Sequence, residues 1–230
     1  MANSYGPKSI VTDGLVFAAD AKNTQCWTPD TSTAYNLIGS NSGSLFDSVS
    51  GSLGEYGSWY FNQINDEIRF ESAGILSSSM TFSFWVKCDT STHAILITTG
   101  ANGSDGELYM KLLGGNIYVF DTSASVGQFI YKGGAFTQGE WVHLTVGLVN
   151  GGAIGDQKLY KNGVSIGFTN NSSNGNYINT SSTNPIYFGE ESDSTLDFKG
   201  NLTNMMFYNK ILTSSEVLQN YNSQKSRFGL

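Results

Sequence analysis

Short apolar runs broken by clusters of Gly, Asn and Ser fill the chain between residues 61 and 207, the pattern of an all-β sandwich or barrel. The clearest strand covers residues 81–88. There Phe82, Phe84, Val86 and Cys88 fall on one side and Thr81, Ser83, Trp85 and Lys87 on the other, a strict period of two in which one face must look into a core. The same reading predicts strands at 14–19, 59–62, 67–71, 93–99, 107–113, 116–121, 128–132, 140–149, 157–161, 164–168, 186–189 and 202–208. That number is enough for two sheets.

Turn chemistry supports the pattern. Asn162-Gly163 accepts two positive φ values and closes a two-residue type I′ hairpin, and Leu113-Gly114-Gly115-Asn116 reads as a second hairpin turn. After Tyr208 the period changes. Thr213-Ser214-Ser215-Glu216 forms a capping box, and Val217, Leu218 and Tyr221 follow at helical spacing. A helix of about three turns is unstable alone, so it is expected to lie against the sandwich. No repeat or composition break divides the chain. A single domain over 1–230 is expected, with an N-terminal arm (1–12), a helix and tail (213–230) and an Asn- and Ser-rich surface loop (170–183).

Composition adds exclusions. Only 13% of the 230 residues are charged, against about 25% in ordinary soluble chains, so Ser, Thr, Asn and Gly must supply the polar surface. The formal net charge is -7, and no basic run offers the phosphate-neutralising patch of a nucleic-acid binder. The apolar runs are too short to span a bilayer, so membrane insertion is not expected. Residues 1–14 include Lys8 and Asp13 and no continuous apolar segment, so no export signal is expected. Cys26 and Cys88 are compatible with one disulfide or with two buried thiols.

Several segments together resemble a known family. Asp13-Gly14-Leu15-Val16-Phe17-Ala18-Ala19-Asp20-Ala21 is similar to the opening strand of laminin G-like domains in the concanavalin A-like lectin/glucanase superfamily, especially phage and bacterial surface versions. Trp59-Tyr60-Phe61 leading to Asp66-Glu67-Ile68 resembles the family's F-x-G-x-x-D-x-I strand pair, with Asn62 and Gln63 departing from its glycine. The likeness continues in order through Met80 to Val86, Gly139 to Thr145, Lys158 to Gly163 and Lys199 to Glu216. The resemblance implies a two-sheet antiparallel jelly-roll sandwich, concanavalin A-like, with a short C-terminal helix.

It also frames the candidate chemistry. Retaining glucanases of the superfamily carry two acids on one strand so that the carboxyl groups flank the scissile bond. The nearest segment here is Glu190-Glu191-Ser192-Asp193-Ser194-Thr195-Leu196, where the second acid is replaced by Leu196. It reads as a solvated loop. His93 and His143 are the only histidines, and no G-x-S-x-G accompanies them, so both read as structural. Calcium is the ion the resemblance implies; Asp66, Asp121, Asp193 and Asn174 are suitably placed, although no D-x-D-x-D-G run selects ligands. Asn102, Asn171, Asn179 and Asn201 begin Asn-x-Ser/Thr triplets.

Sugar recognition of this kind uses an exposed ring beside amide and carboxylate groups. Trp27 and Tyr177, with Asn174, are the candidate carbohydrate contacts, because strand alternation does not account for them; plain loop packing is the competing reading. Trp85, Trp141 and Met205-Met206-Phe207 read as core. The expectation is a non-enzymatic virion surface protein of a bacteriophage, as head decoration, head fibre or tail-associated module. Its expected partners are other virion proteins, host-surface polysaccharide and further copies of itself. The rival expectations are a glycoside hydrolase of the glucanase type and a purely architectural attachment module.

Overall fold

The computed structural model describes residues 9–54, 56–71, 75–76, 78–90, 94–99, 108–121, 128–171, 184–189 and 197–230. The strands, in chain order, are β1 (Leu15–Ala19), β2 (Thr33–Tyr35), β3 (Ser42–Phe46), β4 (Ser50–Ser52), β5 (Ser58–Asn62), β6 (Glu67–Phe70), β7 (Ser79–Cys88), β8 (Ala94–Thr99) and β9 (Leu108–Leu113). They continue with β10 (Asn116–Asp121), β11 (Gln128–Lys132), β12 (Trp141–Val149), β13 (Lys158–Lys161), β14 (Val164–Ser165), β15 (Asn170–Asn171), β16 (Ile186–Phe188) and β17 (Lys199–Tyr208). One helix, α1 (Ser214–Gln224), and a 3₁₀ turn (Lys225–Phe228) end the chain.

The strands form two antiparallel sheets. The eight-stranded sheet runs β14-β13-β12-β7-β17-β5-β4, with β1 paired to β17 beside β5, and the nine-stranded sheet runs β15-β11-β10-β9-β8-β16-β6-β3-β2. Both expected hairpin turns are present, with positive φ at Asn162 and Gly163 and at Gly114 and Gly115. Strands β2, β3, β4 and β15 were not expected. They are short, and β3, β4 and β15 are rich in Ser, Gly or Asn, so none carries a run of apolar alternation, and neighbouring strands hold them.

Alternation in the long strands places the core. Phe82, Phe84 and Val86 of β7 face inward with Val142, Leu144 and Val146 of β12, and Ile68, Phe70, Met110, Leu112 and Val119 meet them from the opposite sheet. Phe17 sits at the junction, 4.9 Å from Phe70 edge-on and 4.8 Å from Phe207. Each such ring, fully buried, contributes about 1.5–3 kcal/mol. Met205 and Phe207 belong to this core, whereas Met206 belongs to a second cluster outside the eight-stranded sheet with Val11, Leu15, Tyr208 and Val217.

That second cluster lies beneath α1. Thr213 caps the helix: its hydroxyl accepts from the Glu216 N–H, and the Glu216 carboxylate accepts from the Thr213 N–H at 2.8 Å. The N-terminal arm is tied to the same helix, with the Val11 N–H donating to Asn220 Oδ1 at 2.8 Å. Cys26 and Cys88 are both buried free thiols, and burial pushes the Cys26 thiol up to about 11.

Candidate functional site

The two outer faces of the sandwich both carry aromatic side chains, in different states. On the eight-stranded face, period two turns Ser83, Trp85 and Lys87 away from the core. The C-terminal segment covers the first of these. Tyr221 stacks on Trp85 at 5.8 Å and Phe228 at 3.9 Å, while the Trp85 indole N–H donates to Gln224 Oε1 at 2.7 Å. Arg227 fixes the tail through a bidentate pair with Asp20, both contacts at 2.8 Å, and through the Tyr56 and Gly57 carbonyls. Trp85 is therefore buried, but under the helix instead of between the sheets.

One step along the strands the cover ends. The registers Trp141↔Lys87, Lys87↔Asn201, Asn201↔Tyr60 and Tyr60↔Ser50 align five residues in one row across β12, β7, β17, β5 and β4. The first four are half-buried and Ser50 is exposed. Three inter-strand steps put Trp141 and Tyr60 about 14 Å apart. Trp141 was expected in the core; it lies instead at one end of this row, held at 4.8 Å by Phe228 and 5.8 Å by Tyr56, both tilted against it. Tyr56, 36% exposed, stacks on Phe228 at 8° and forms a wall beside the row. The Asn201 amide donates to Ser58 Oγ at 3.0 Å. Among the described residues the ion pairs are Arg69–Glu71, Lys210–Asp13, Lys210–Glu216 and Arg227–Asp20; Lys87 joins none. The row thus offers two rings at its ends with an ammonium and an amide between them.

On the nine-stranded face the aliphatic residues of β9, β10 and β11 point inward and the aromatic ones outward. Tyr109, Phe120 and Phe129 are cross-strand neighbours, as are Lys111, Tyr118 and Tyr131. Tyr109 and Phe120 stack at 4.5 Å and 8°, Tyr118 and Tyr131 at 5.0 Å and 17°. Rings this close and this parallel overlap face on face, so they stand up from the sheet and show solvent their edges and hydroxyls. The Lys111 ammonium lies 4.6 Å from the Phe120 centroid. Here the rings largely satisfy one another.

Two polar clusters bear on chemistry. Ser83 Oγ and His143 Nε2 are 2.9 Å apart, the spacing of a nucleophile and its base, yet both are fully buried beneath Tyr221 and His143 Nδ1 has no partner to orient it. Burial lowers the imidazole to about 3. This neutral pair, bonded on to Thr145, is packing. At the other end of the sandwich, Asp66 accepts from the Ser48 N–H and hydroxyl and from the Asn62 N–H at 2.7–2.9 Å. Asp197 Oδ2 accepts from the Asn65 N–H at 3.1 Å. Among the described residues Asp197 Oδ1 and Asn62 Oδ1 are buried acceptors without a donor. Burial raises the Asp197 carboxyl, the Asn65 N–H opposes that, and the Asp66 charge adds to the rise. Calcium takes about six to eight oxygen ligands, and no group of three His, Cys, Asp or Glu side chains that could hold a metal is present among the described residues; an ion here would rest on Asp197 and Asn62, with Asp66 shaping the loop.

The structure redistributes the residues expected from sequence. Trp27 is only 4% exposed, its indole N–H donating to the Thr31 carbonyl at 3.0 Å and its ring edge-on to Trp59. A sugar platform needs an open ring face, so Trp27 is loop packing. Tyr177, Asn174, Asp193, His93 and the segment 190–196 lie outside the described residues, as does the Asp121 side chain. Lys87, Trp141 and Tyr60 were not picked out as a site. Lys87 sharing a face with Trp85 was the one signal available for them.

The architecture defines a jelly-roll sandwich of the concanavalin A type. A laminin G-like family model of the concanavalin A-like lectin/glucanases superfamily matches residues 61–218, and the chain belongs to that family. No curated protein sequence matches it. Similar solved structures include the binding domain of botulinum neurotoxin DC in complex with rat synaptotagmin II (TM-score 0.70, 11% identity, covering 92% of this chain and 52% of that one). The botulinum neurotoxin type G receptor binding domain is also similar (0.66, 15%, 92% and 52%). So is the serotype D ligand binding domain in complex with N-acetylneuraminic acid (0.66, 14%, 92% and 51%). The chain spans about half the length of these proteins, and at such identities the likeness establishes the fold.

Proposed function

We propose that the chain is a non-enzymatic, lectin-like contact module that holds carbohydrate along the Trp141–Lys87–Asn201–Tyr60 row. The observation that carries this reading is the row itself: Trp141, held by tilted contacts with Tyr56 and Phe228, at one end and Tyr60 toward the other, with hydrogen-bonding groups between them. Sugars present an apolar face to such rings and hydroxyls to amide and ammonium groups. A complex of one similar protein with N-acetylneuraminic acid supports a carbohydrate ligand. The phage-type resemblance and a surface built from Ser, Thr, Asn and Gly support a place on a virus particle, as head decoration, head fibre or tail-associated module, where many copies convert weak contacts into avidity. Calcium at Asp197 and Asn62 belongs to the same reading, as an ion that steadies the loop after β5.

A glycan array followed by calorimetry on the best ligand tests it. Binding that falls at least tenfold in Tyr60→Ala and stays unchanged in Tyr118→Ala is expected. A blank array with and without calcium would favour pure architecture. Release of reducing sugar that Glu191→Gln abolishes would replace the reading with a glucanase.

A further inference from the structure

We infer that the carbohydrate taken by this row is an acidic one, a short run of sugars carrying a carboxylate that pairs with Lys87. The inference rests on the proposed function and adds the ligand's chemical class.

The physical reason lies in the middle of the row. The Lys87 ammonium stands on a half-buried side chain flanked by the Trp141 and Asn201 positions, and none of the ion pairs among the described residues includes it. Two of the other cations on this face are already engaged. Arg227 is committed to Asp20. The Lys225 ammonium sits over the Tyr221 ring, 5.4 Å from its centroid. At the neighbouring sheet end the Asp89 N–H donates to the Lys199 carbonyl at 2.8 Å, a backbone contact, and neither side chain is in the ion pairs among the described residues. Glu140 is exposed at the start of β12. In a protein that is acidic as a whole, Lys87 is, among the described residues, a cation outside any ion pair that stands between the Trp141 and Tyr60 positions.

A neutral sugar chain laid along the row would strip water from the ammonium and return only dipoles. A carboxylate returns a charge-assisted hydrogen bond, roughly twice as strong as a neutral one. The wall of Tyr56 and Phe228 keeps Trp141 in place before the ligand arrives, so ordering costs are small.

The test uses oligomers of galacturonate, mannuronate and guluronate, each as free acid and as methyl ester, titrated into the full chain by calorimetry and tryptophan fluorescence. At least one free acid is expected to bind, its ester at least tenfold more weakly. Lys87→Gln should abolish the difference in affinity between acid and ester and leave thermal stability intact. Added salt should weaken the acid and not the ester, because the screening length shrinks to about 8 Å at physiological ionic strength. Equal binding of acid and ester, or no effect of Lys87→Gln, overturns the acidic specificity and leaves the carbohydrate reading standing. Binding of neither by any oligomer, together with a blank glycan array, removes both.

Discussion

The aromatic surfaces on the two outer faces use the same residue types for different ends. On β9, β10 and β11 the outward rings pack on their cross-strand neighbours at 4.5–5.1 Å, two of the pairs stacked and one tilted, so much of their ring surface is spent on one another. Across β12, β7, β17 and β5 the outward residues alternate ring, ammonium, amide and ring, and no such overlap can form. The lesson is that counting half-exposed aromatics does not locate a binding surface; which atoms their neighbours leave uncovered does. The first face should answer to mutation in stability, the second in affinity.

The largest expected effect sets backbone against backbone. A Cβ on Gly200, whose φ is +145°, would stand 2.0 Å from the Lys87 carbonyl oxygen, so Gly200→Ala should pry β17 from β7 and cost about 3 kcal/mol or more in chemical denaturation. Gly114→Ala, in the hairpin under the stacked rings, meets no atom within 4 Å and should cost only its positive φ, about 1–2 kcal/mol. Next comes the ring pair itself. Phe120→Ala should lower stability by about 2 kcal/mol through lost stacking, with ligand affinity untouched, and Tyr60→Ala should change stability by under about 1 kcal/mol. Reversal of that order would break the comparison.

The sealed part of the eight-stranded face has its own signature. The folded-state value of His143 lies far below the unfolded one. Its contribution to stability is therefore complete above about pH 6.5 and is lost as pH falls toward 3, by up to about 1.4 kcal/mol per pH unit. Urea melts of His143→Gln should show a shallower decline between pH 6 and pH 4, as order-of-magnitude bounds of that window. The smallest effect concerns the Asp197 loop: calcium should raise the melting temperature by about a degree or two, and Asp197→Asn should erase that rise.

Much of the architecture was legible because period two in β7 and β12 needs nothing beyond local order, and the Thr213 to Glu216 capping box is a local device. Strands β3 and β4, with sequences SGSLF and SGS, carry no such signal; they exist because β6 and β5 offer partners. The row was illegible for a related reason. It joins residues 50, 60, 87, 141 and 201, and only long-range register brings them together. Three consecutive aromatics, Trp59, Tyr60 and Phe61, give no hint that the middle one alone faces out. Trp27 misled because a tryptophan in a polar loop resembles a platform until Trp59 and the Thr31 carbonyl are seen to enclose it.

The position of β17 has a consequence for how the molecule comes into being. It is the last of the described strands in chain order, yet β7, β5 and β1 all pair with it. Until residue 208 has emerged, β1 has no strand partner among the described residues and the sheet that carries the row stays split, so closure must await the synthesis of β17. Pairings across such sequence distances form slowly, and nascent chains stalled before that point should be sensitive to protease where the finished protein resists it.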